Sequence, residues 1–396
     1  MSKSSDSPVS PLFVGKRLAD ARVARGFTMT QLANFTGIKK QSISNYENGK
    51  QTPKADALAA LTDRLGISLA FLQKDAPTAS TAPIFFRSLA GLAKREWAKA
   101  EVQLAWFEEI YTYLDEHINF VPPNIPRHFD ISTRLNKVTR DEIEEIAYAV
   151  RSYWELGLGP ISNMTRLLEN NGVLIVRMPL DVKEEDAFSQ WQRDNTVPVI
   201  VSVAESPSAC RDRFSLAHEL GHLVLHSKVT LKQETLSVIE AQANQFASAF
   251  LLPAASYLRE FRYPSLEILK VLKEKWKASI KSQVYRCKEL RVITEQSSRN
   301  FYLNMAKRKW IRSEPLDDVI PPERPKVIKE SLALLELNAN ITLDDIARET
   351  TISPIDIAML FGIERKEEKQ EQALPTIKSS ARVLQFRKAG TEKFNG

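Results

Sequence analysis

Three of the five histidines in this 396-residue chain, His218, His222 and His226, fall within nine residues. The run His218-Glu219-Leu220-Gly221-His222 has the H-E-x-x-H spacing. On a helix, positions i and i+4 share a face, so both imidazoles can grip one zinc ion while Glu219 stands beside it as a general base. A catalytic zinc needs a third protein donor and leaves its fourth position for water. Glu240, 18 residues beyond His222, opens onto an apolar helical run from Leu236 to Leu252 and is the favoured third ligand. Glu234 is the nearest rival, but it precedes that run and lacks the asparagine that stands one turn beyond Glu240. That residue, Asn244, can hold a ligand in place from outside the metal's first shell. His226 also competes, being i+4 from His222. An extended run of three zinc histidines needs a glycine turn and a later histidine, and Leu225 and Lys228 occupy those places, so His226 reads as a polar cap near the helix end.

These residues need a scaffold. Gly172–Val176 and Val197–Val203 are dense in β-branched residues, with Asp186–Trp191 as a third strand between them, so a small sheet is expected ahead of the H-E-x-x-H helix. A loop and a second helix would then return Glu240 to the metal. Upstream, Leu92 to Phe120 carries an apolar stripe with Trp97, Leu104, Trp106, Phe107, Ile110 and Leu114, too wide to be left in water. It should pack on the next domain or on a second copy.

The N-terminus has a different character. Residues 1–74 hold 11 Lys/Arg against 5 Asp/Glu, whereas the remainder holds 44 of each, so the whole net charge of +6 sits there. A compact basic segment on a neutral body points to nucleic acid. Between Leu12 and Leu72 the apolar residues form five short helical stripes: Phe13–Arg25, one capped by Thr28 and ended by Gly37, one from Lys40 to Asn48-Gly49, one opened by Pro53, and one after Gly66-Ile67-Ser68. The second and third fit a helix-turn-helix, whose second helix lies in the major groove. Gln and Asn can pair bidentately with adenine, while Lys and Ser reach phosphates or guanine.

Over about sixty residues this segment resembles the phage-repressor-like, or Xre, helix-turn-helix family. The carrying strings are Arg17–Arg22, Thr30-Gln31-Leu32-Ala33, Ser42–Gly49 and Leu65-Gly66-Ile67-Ser68. The resemblance implies that Lys40, Gln41, Ser42 and Asn45 open the recognition helix, that Gln31 meets a phosphate, and that Arg22 and Glu47 form an ion pair. A double-stranded operator is expected, bound as a homodimer because a single recognition helix reads few base pairs.

A second resemblance, from about Glu142 to Pro253, is to the ImmA/IrrE metallopeptidases, zinc proteases that cut or disable repressors. Its marks are Gly159-Pro160-Ile161, Gly172-Val173-Leu174, Asp186–Ser189, Arg213–His222, Glu240–Ala247 and Leu251-Leu252-Pro253.

Together these readings give a multi-domain fold class: an all-α N-terminal helix-turn-helix domain, an α+β zincin-like metallopeptidase domain with a small sheet, and a helical C-terminal region. The expected segments are 11–74 for the reader of DNA and 75–127 for a linker and long helix. The peptidase then takes 128–255, a helical extension 256–364 and a loose tail 365–396. Asp75–Pro83, short and proline-bounded, reads as a linker that lets the domains reorient. In the extension, Ser265–Leu290 suggests two helices, Lys307-Arg308-Lys309-Trp310 either a second nucleic-acid surface or a solvated basic edge, and Ile341–Gly362 another small helical repeat whose Asp344, Asp345 and Asp356 would repel phosphates. Two cysteines, Cys210 and Cys287, are too few for a disulfide framework. Met1–Pro11 is polar and no apolar run reaches about 18 residues, so no leader, no membrane partner and a cytoplasmic location are expected. The expected function is a transcriptional regulator with a built-in zinc endopeptidase that cleaves a repressor or itself on a signal such as stress, DNA damage or mobile-element control. The alternative is a non-catalytic regulator or antitoxin-like protein whose peptidase fold senses a metal or ligand.

Overall fold

The computed structural model describes residues 13–77, 85–86, 94–178, 180, 187–193, 196–202, 208–229, 234–261, 263–363 and 385–386. The chain has several domains and is mostly helical, with one small mixed sheet. Its N-terminal part is α1 (Gly15–Ala24), α2 (Met29–Thr36), α3 (Lys40–Glu47) and α4 (Ala55–Leu65). Thr28 and Gln31 form a reciprocal capping box at the start of α2, and Gly37 closes it in the left-handed conformation (φ 71°) that glycine adopts without strain. Two local expectations change. Pro53 precedes the N-cap Lys54 instead of opening α4, and the fifth stripe is a single 3-10 turn, Phe71–Gln73.

The next elements are β1 (Phe85–Phe86), α5 (Lys94–His117), β2 (Ile118–Asn119), α6 (Arg140–Tyr153), α7 (Met164–Asn170), β3 (Leu174–Arg177), β4 (Ala187–Gln192) and β5 (Val197–Ser202). The sheet order is β1-β4-β5-β3, with β3 parallel to β5 and β4 antiparallel to it. Asp186 and Val203, the expected ends of two strands, lie outside the described residues. Both sheet faces are covered, which explains the near-continuous apolar runs in its strands. Ile175, Trp191 and Ile200 join one core, and Leu174, Val176, Phe188, Val199 and Val201 the other. By the same two-residue alternation Ser189 shares the face of Trp191.

On that face lie α8 (Ala209–Leu225) and α9 (Leu236–Leu251), followed by α10 (Ala254–Glu260), α11 (Leu266–Trp276), α12 (Ile280–Glu289) and α13 (Glu295–Lys307). The last elements among the described residues are α14 (Val327–Ala339), α15 (Leu343–Thr350), α16 (Pro354–Leu360) and β6 (Gln385–Phe386). The expected extension 256–364 thus divides: α10–α13 complete the core behind α8 and α9, whereas α14–α16 join α5 and the N-terminal helices on the opposite sheet face. Within the expected tail, Gln385–Phe386 pairs antiparallel with Ile118–Asn119, and the rest of 365–396 lies outside the described residues.

The N-terminal domain is docked against α5, a position that the expected reorientation of the domains would have to leave. Residues 78–83 of the linker lie outside the described residues. However, Trp106, Phe107 and Ile110 of α5 share a core with Leu18, Leu61 and Phe71, so the stripe too wide for water is covered by the reader itself. Arg17, 1% exposed, adds a bidentate pair with Glu109 at 2.6 and 2.8 Å.

One position is strained. Thr351, which closes α15, is left-handed at φ 63° although it is β-branched, and its buried hydroxyl has no hydrogen-bond partner. Thr351→Gly is expected to raise stability by about 1 kcal/mol, after the extra chain entropy of glycine is offset. A higher urea midpoint at unchanged slope would show it, and an equal or lower midpoint would contradict it.

Candidate metal centre and DNA-reading face

The H-E-x-x-H lies in the middle of α8, which is buried on nearly every side. Gly221 lets α9 approach closely: a Cβ there would sit 3.2 Å from the Phe246 ring and 3.3 Å from the Ala243 Cα. This close packing brings Glu240 onto the histidines. Its carboxylate oxygens lie 3.2 Å from His218 Nε2 and 3.3 Å from His222 Nε2, and the two Nε2 atoms are 3.0 Å apart. Glu234, by contrast, is exposed in the turn before α9.

The protons of this cluster follow from its outer contacts. Gln242 Nε2 donates to the Leu135 carbonyl (2.7 Å), which turns Gln242 Oε1 toward His226 Nε2 at 3.0 Å. His226 therefore donates from Nε2 and accepts at Nδ1, where His222 Nδ1 approaches to 3.1 Å. His222 must carry its proton on Nδ1 and offer Nε2 as a lone pair. His218 is set the same way, Nδ1 facing Asn244 Oδ1 at 3.1 Å. His226 is fully buried; burial first, and then the neighbouring His222, push its imidazole well below the ordinary histidine range, so it stays neutral. It is the C-cap of α8 but does more than cap, since its ring orients a neighbouring histidine.

Two imidazole lone pairs and a carboxylate thus converge. Burial pushes the Glu240 carboxyl up, and only imidazoles that donate to it, in their protonated form, more than reverse this and hold it well below the usual range. Its buried Oε2 makes no hydrogen bond despite its closeness to His218. Such a set of acceptors is satisfied by a cation. Zinc bonds of about 2.0–2.1 Å at tetrahedral angles place donors about 3.3 Å apart, which matches the 3.0–3.3 Å found among these three residues. His218, His222 and Glu240 therefore fit zinc.

Glu219 also lies within 4.8 Å of both histidines' donor atoms, but the sheet engages it: Ser189 Oγ donates to Glu219 Oε2 at 2.7 Å. Sequence spacing marks out neither Ser189 nor Gln242, although each lies in a stretch that resembles the metallopeptidases, Asp186–Ser189 and Glu240–Ala247. Cys210 stays away from the metal cluster. It packs with Ala209 and Ile320, and burial raises its thiol to about 11.

In the N-terminal domain, Arg22 forms a bidentate pair with Glu47 at 2.6 and 2.9 Å, tying α1 to α3. Gln31, Lys40 and Gln41 are exposed, and Ser42 and Asn45 partly so. The capping box uses the Gln31 carbonyl, which turns its amide N–H groups outward. Gln41 donates to Asn45 (3.2 Å), which donates to Gln51 (3.3 Å), so these amides are aligned along one face. In the C-terminal basic cluster Arg308 pairs with Glu267 and stacks over Trp310.

Two protein-family models match the chain: residues 168–288 match the IrrE N-terminal-like domain of the M78 peptidases, and residues 18–72 match Helix-turn-helix. The first match covers all four residues of the candidate centre and continues into α12. The SPbeta prophage-derived uncharacterized HTH-type transcriptional regulator YonR of Bacillus subtilis (strain 168) is 38% identical over 60 residues, 15% of this chain. That stretch spans 56% of the relative's length. No helix among the described residues is long and apolar enough to cross a membrane.

Proposed function

We propose that this chain, a DNA-binding helix-turn-helix regulator of Xre type fused to an M78 peptidase-family domain, is a zinc-dependent endopeptidase that relieves repression by cutting a repressor protein or itself. The convergence of His218, His222 and Glu240 at zinc-ligand spacing carries this reading, with Glu219 beside them and bonded to Ser189. Zinc bound there would polarise a peptide carbonyl and lower the pKa of an attacking water. Glu219 takes the proton of that water and delivers it to the departing amine. Ser189, by donating to one oxygen of Glu219, keeps the carboxylate turned as a proton acceptor. Asn244 and His226 keep the two ligand rings in the tautomers that face the metal. Purified protein incubated with co-expressed repressors should yield fragments that a zinc chelator abolishes; identical fragments with and without chelator overturn the proposal.

The DNA half has its own test. The reader acts on a duplex operator as a homodimer in this proposal, since one recognition helix reads few base pairs. Gln41→Ala should lower discrimination between operator and random duplex by the roughly 1–3 kcal/mol of a bidentate contact. Lys40→Ala should instead weaken both and flatten the salt dependence by about one phosphate contact. Equal salt slopes for Lys40→Ala and wild type would remove Lys40 from the interface.

A further inference from the structure

The turn geometry of α2 and α3 recurs, residue for residue and without a gap, when Thr28–Glu47 is laid on Thr342–Phe361. Each unit opens with a threonine in a reciprocal capping box, closed by Gln31 in one and Asp345 in the other. Each first helix ends in a threonine whose hydroxyl donates four residues back, Thr36 to Leu32 and Thr350 to Ile346, at 2.8 and 2.7 Å. The next residue is left-handed in both, Gly37 at φ 71° and Thr351 at φ 63°. Leu32 and Ile43 are buried in the first unit, as Ile346 and Ile357 are in the second.

The surface chemistry has been replaced. Gln31, Lys40, Gln41, Ser42 and Asn45 correspond to Asp345, Pro354, Ile355, Asp356 and Met359. None of these five offers a cation or an amide side chain to DNA, and two are acidic. Asp356, at the start of the second helix, instead accepts both Nη groups of Arg25 at 2.6 and 2.8 Å, at the end of α1. Lys74 Nζ reaches the last-turn carbonyls of α15, Thr350 at 3.1 Å and Glu349 at 3.4 Å, where a helix C-terminus attracts a cation. The other side of the unit packs on α5, with the Phe361 and Phe107 rings 5.8 Å apart, and α16 also touches β3.

We propose that residues 342–361 are a second helix-turn-helix that does not read DNA and whose second helix binds the N-terminal reader in cis, chiefly through Asp356 and Arg25, fixing it against the peptidase sheet. The reading positions stay exposed or partly exposed in the docked arrangement, so docking and DNA binding are compatible. A duplex that prefers the docked orientation strengthens docking, and loosening the dock weakens binding of that duplex by the same factor. This holds whether or not the zinc site is catalytic.

Full-length protein spin-labelled at Lys50→Cys and Asn304→Cys, both exposed, tests it; native Cys210 and Cys287 are buried. One narrow inter-label distance is expected in this background. Arg25→Glu sets two carboxylates against each other and should broaden it, and adding Asp356→Arg should narrow it again. Arg25→Ala with Lys74→Ala, which introduces no new charge, should also broaden it. Ile355→Glu should leave operator affinity within twofold. A broad distribution from the outset, an unchanged one in both Arg25→Glu and the double alanine variant, or a tenfold affinity loss in Ile355→Glu would each overturn the proposal.

Discussion

Glu219→Gln is expected to bind zinc as the wild type does and to cleave its substrate on the order of 10²–10⁴ times more slowly, the usual cost of losing general-base help. The substitution is nearly isosteric, and the amide oxygen can still accept the Ser189 hydroxyl that holds the side chain at 2.7 Å. It cannot take a proton from water. Because His218, His222 and Glu240 are untouched, metal content and thermal unfolding should not change, and operator binding on the opposite side of the sheet should be unaffected. Single-turnover cleavage beside zinc content measured on the same sample separates the two effects. Equal cleavage rates would remove Glu219 from the chemistry. Equal repression, induction and fragment patterns in cells would favour the non-catalytic, metal-sensing regulator instead.

The legible part of the centre is the part written in helical spacing. His218 and His222 are i and i+4 on α8, and Glu240 and Asn244 are i and i+4 on α9, so one local rule finds both pairs. Ser189 depends on strand parity and on which sheet face α8 covers, neither of which its neighbours reveal. Gln242 is two residues from Glu240, so a helix-face argument turns it away from the metal; its long side chain reaches His226 only because that histidine sits at the end of α8. The docking of the reader was half legible. The apolar width of α5 said that something must cover it, but only the tertiary fold brings Arg17 to Glu109 and Arg25 to Asp356. The C-terminal acidic residues pointed away from DNA, and spacing alone had no way to supply the arginine that Asp356 meets.

The zinc affinities of a short variant series should fall into two tiers set by this geometry. His218→Ala, His222→Ala and Glu240→Ala each delete one of three converging donors, and their affinities should drop well beyond the roughly 10–100-fold that outer-shell changes cost. His226→Ala and Gln242→Leu should fall within that 10–100-fold range. Without the His226 Nδ1 acceptor, the His222 proton is held less firmly on Nδ1, so Nε2 is protonated in part of the population and each binding event must first reverse that. His226→Gln keeps an acceptor in reach and should recover part of the loss, which a purely space-filling role for His226 would not predict. In every variant the affinity should weaken as pH falls, because protons compete with zinc for the same lone pairs. Titration against a competing chelator at two pH values reads both effects. Full affinity in His226→Ala would show that the relay from Leu135 through Gln242 does not set the ligand, and full affinity in His222→Ala would place the metal elsewhere.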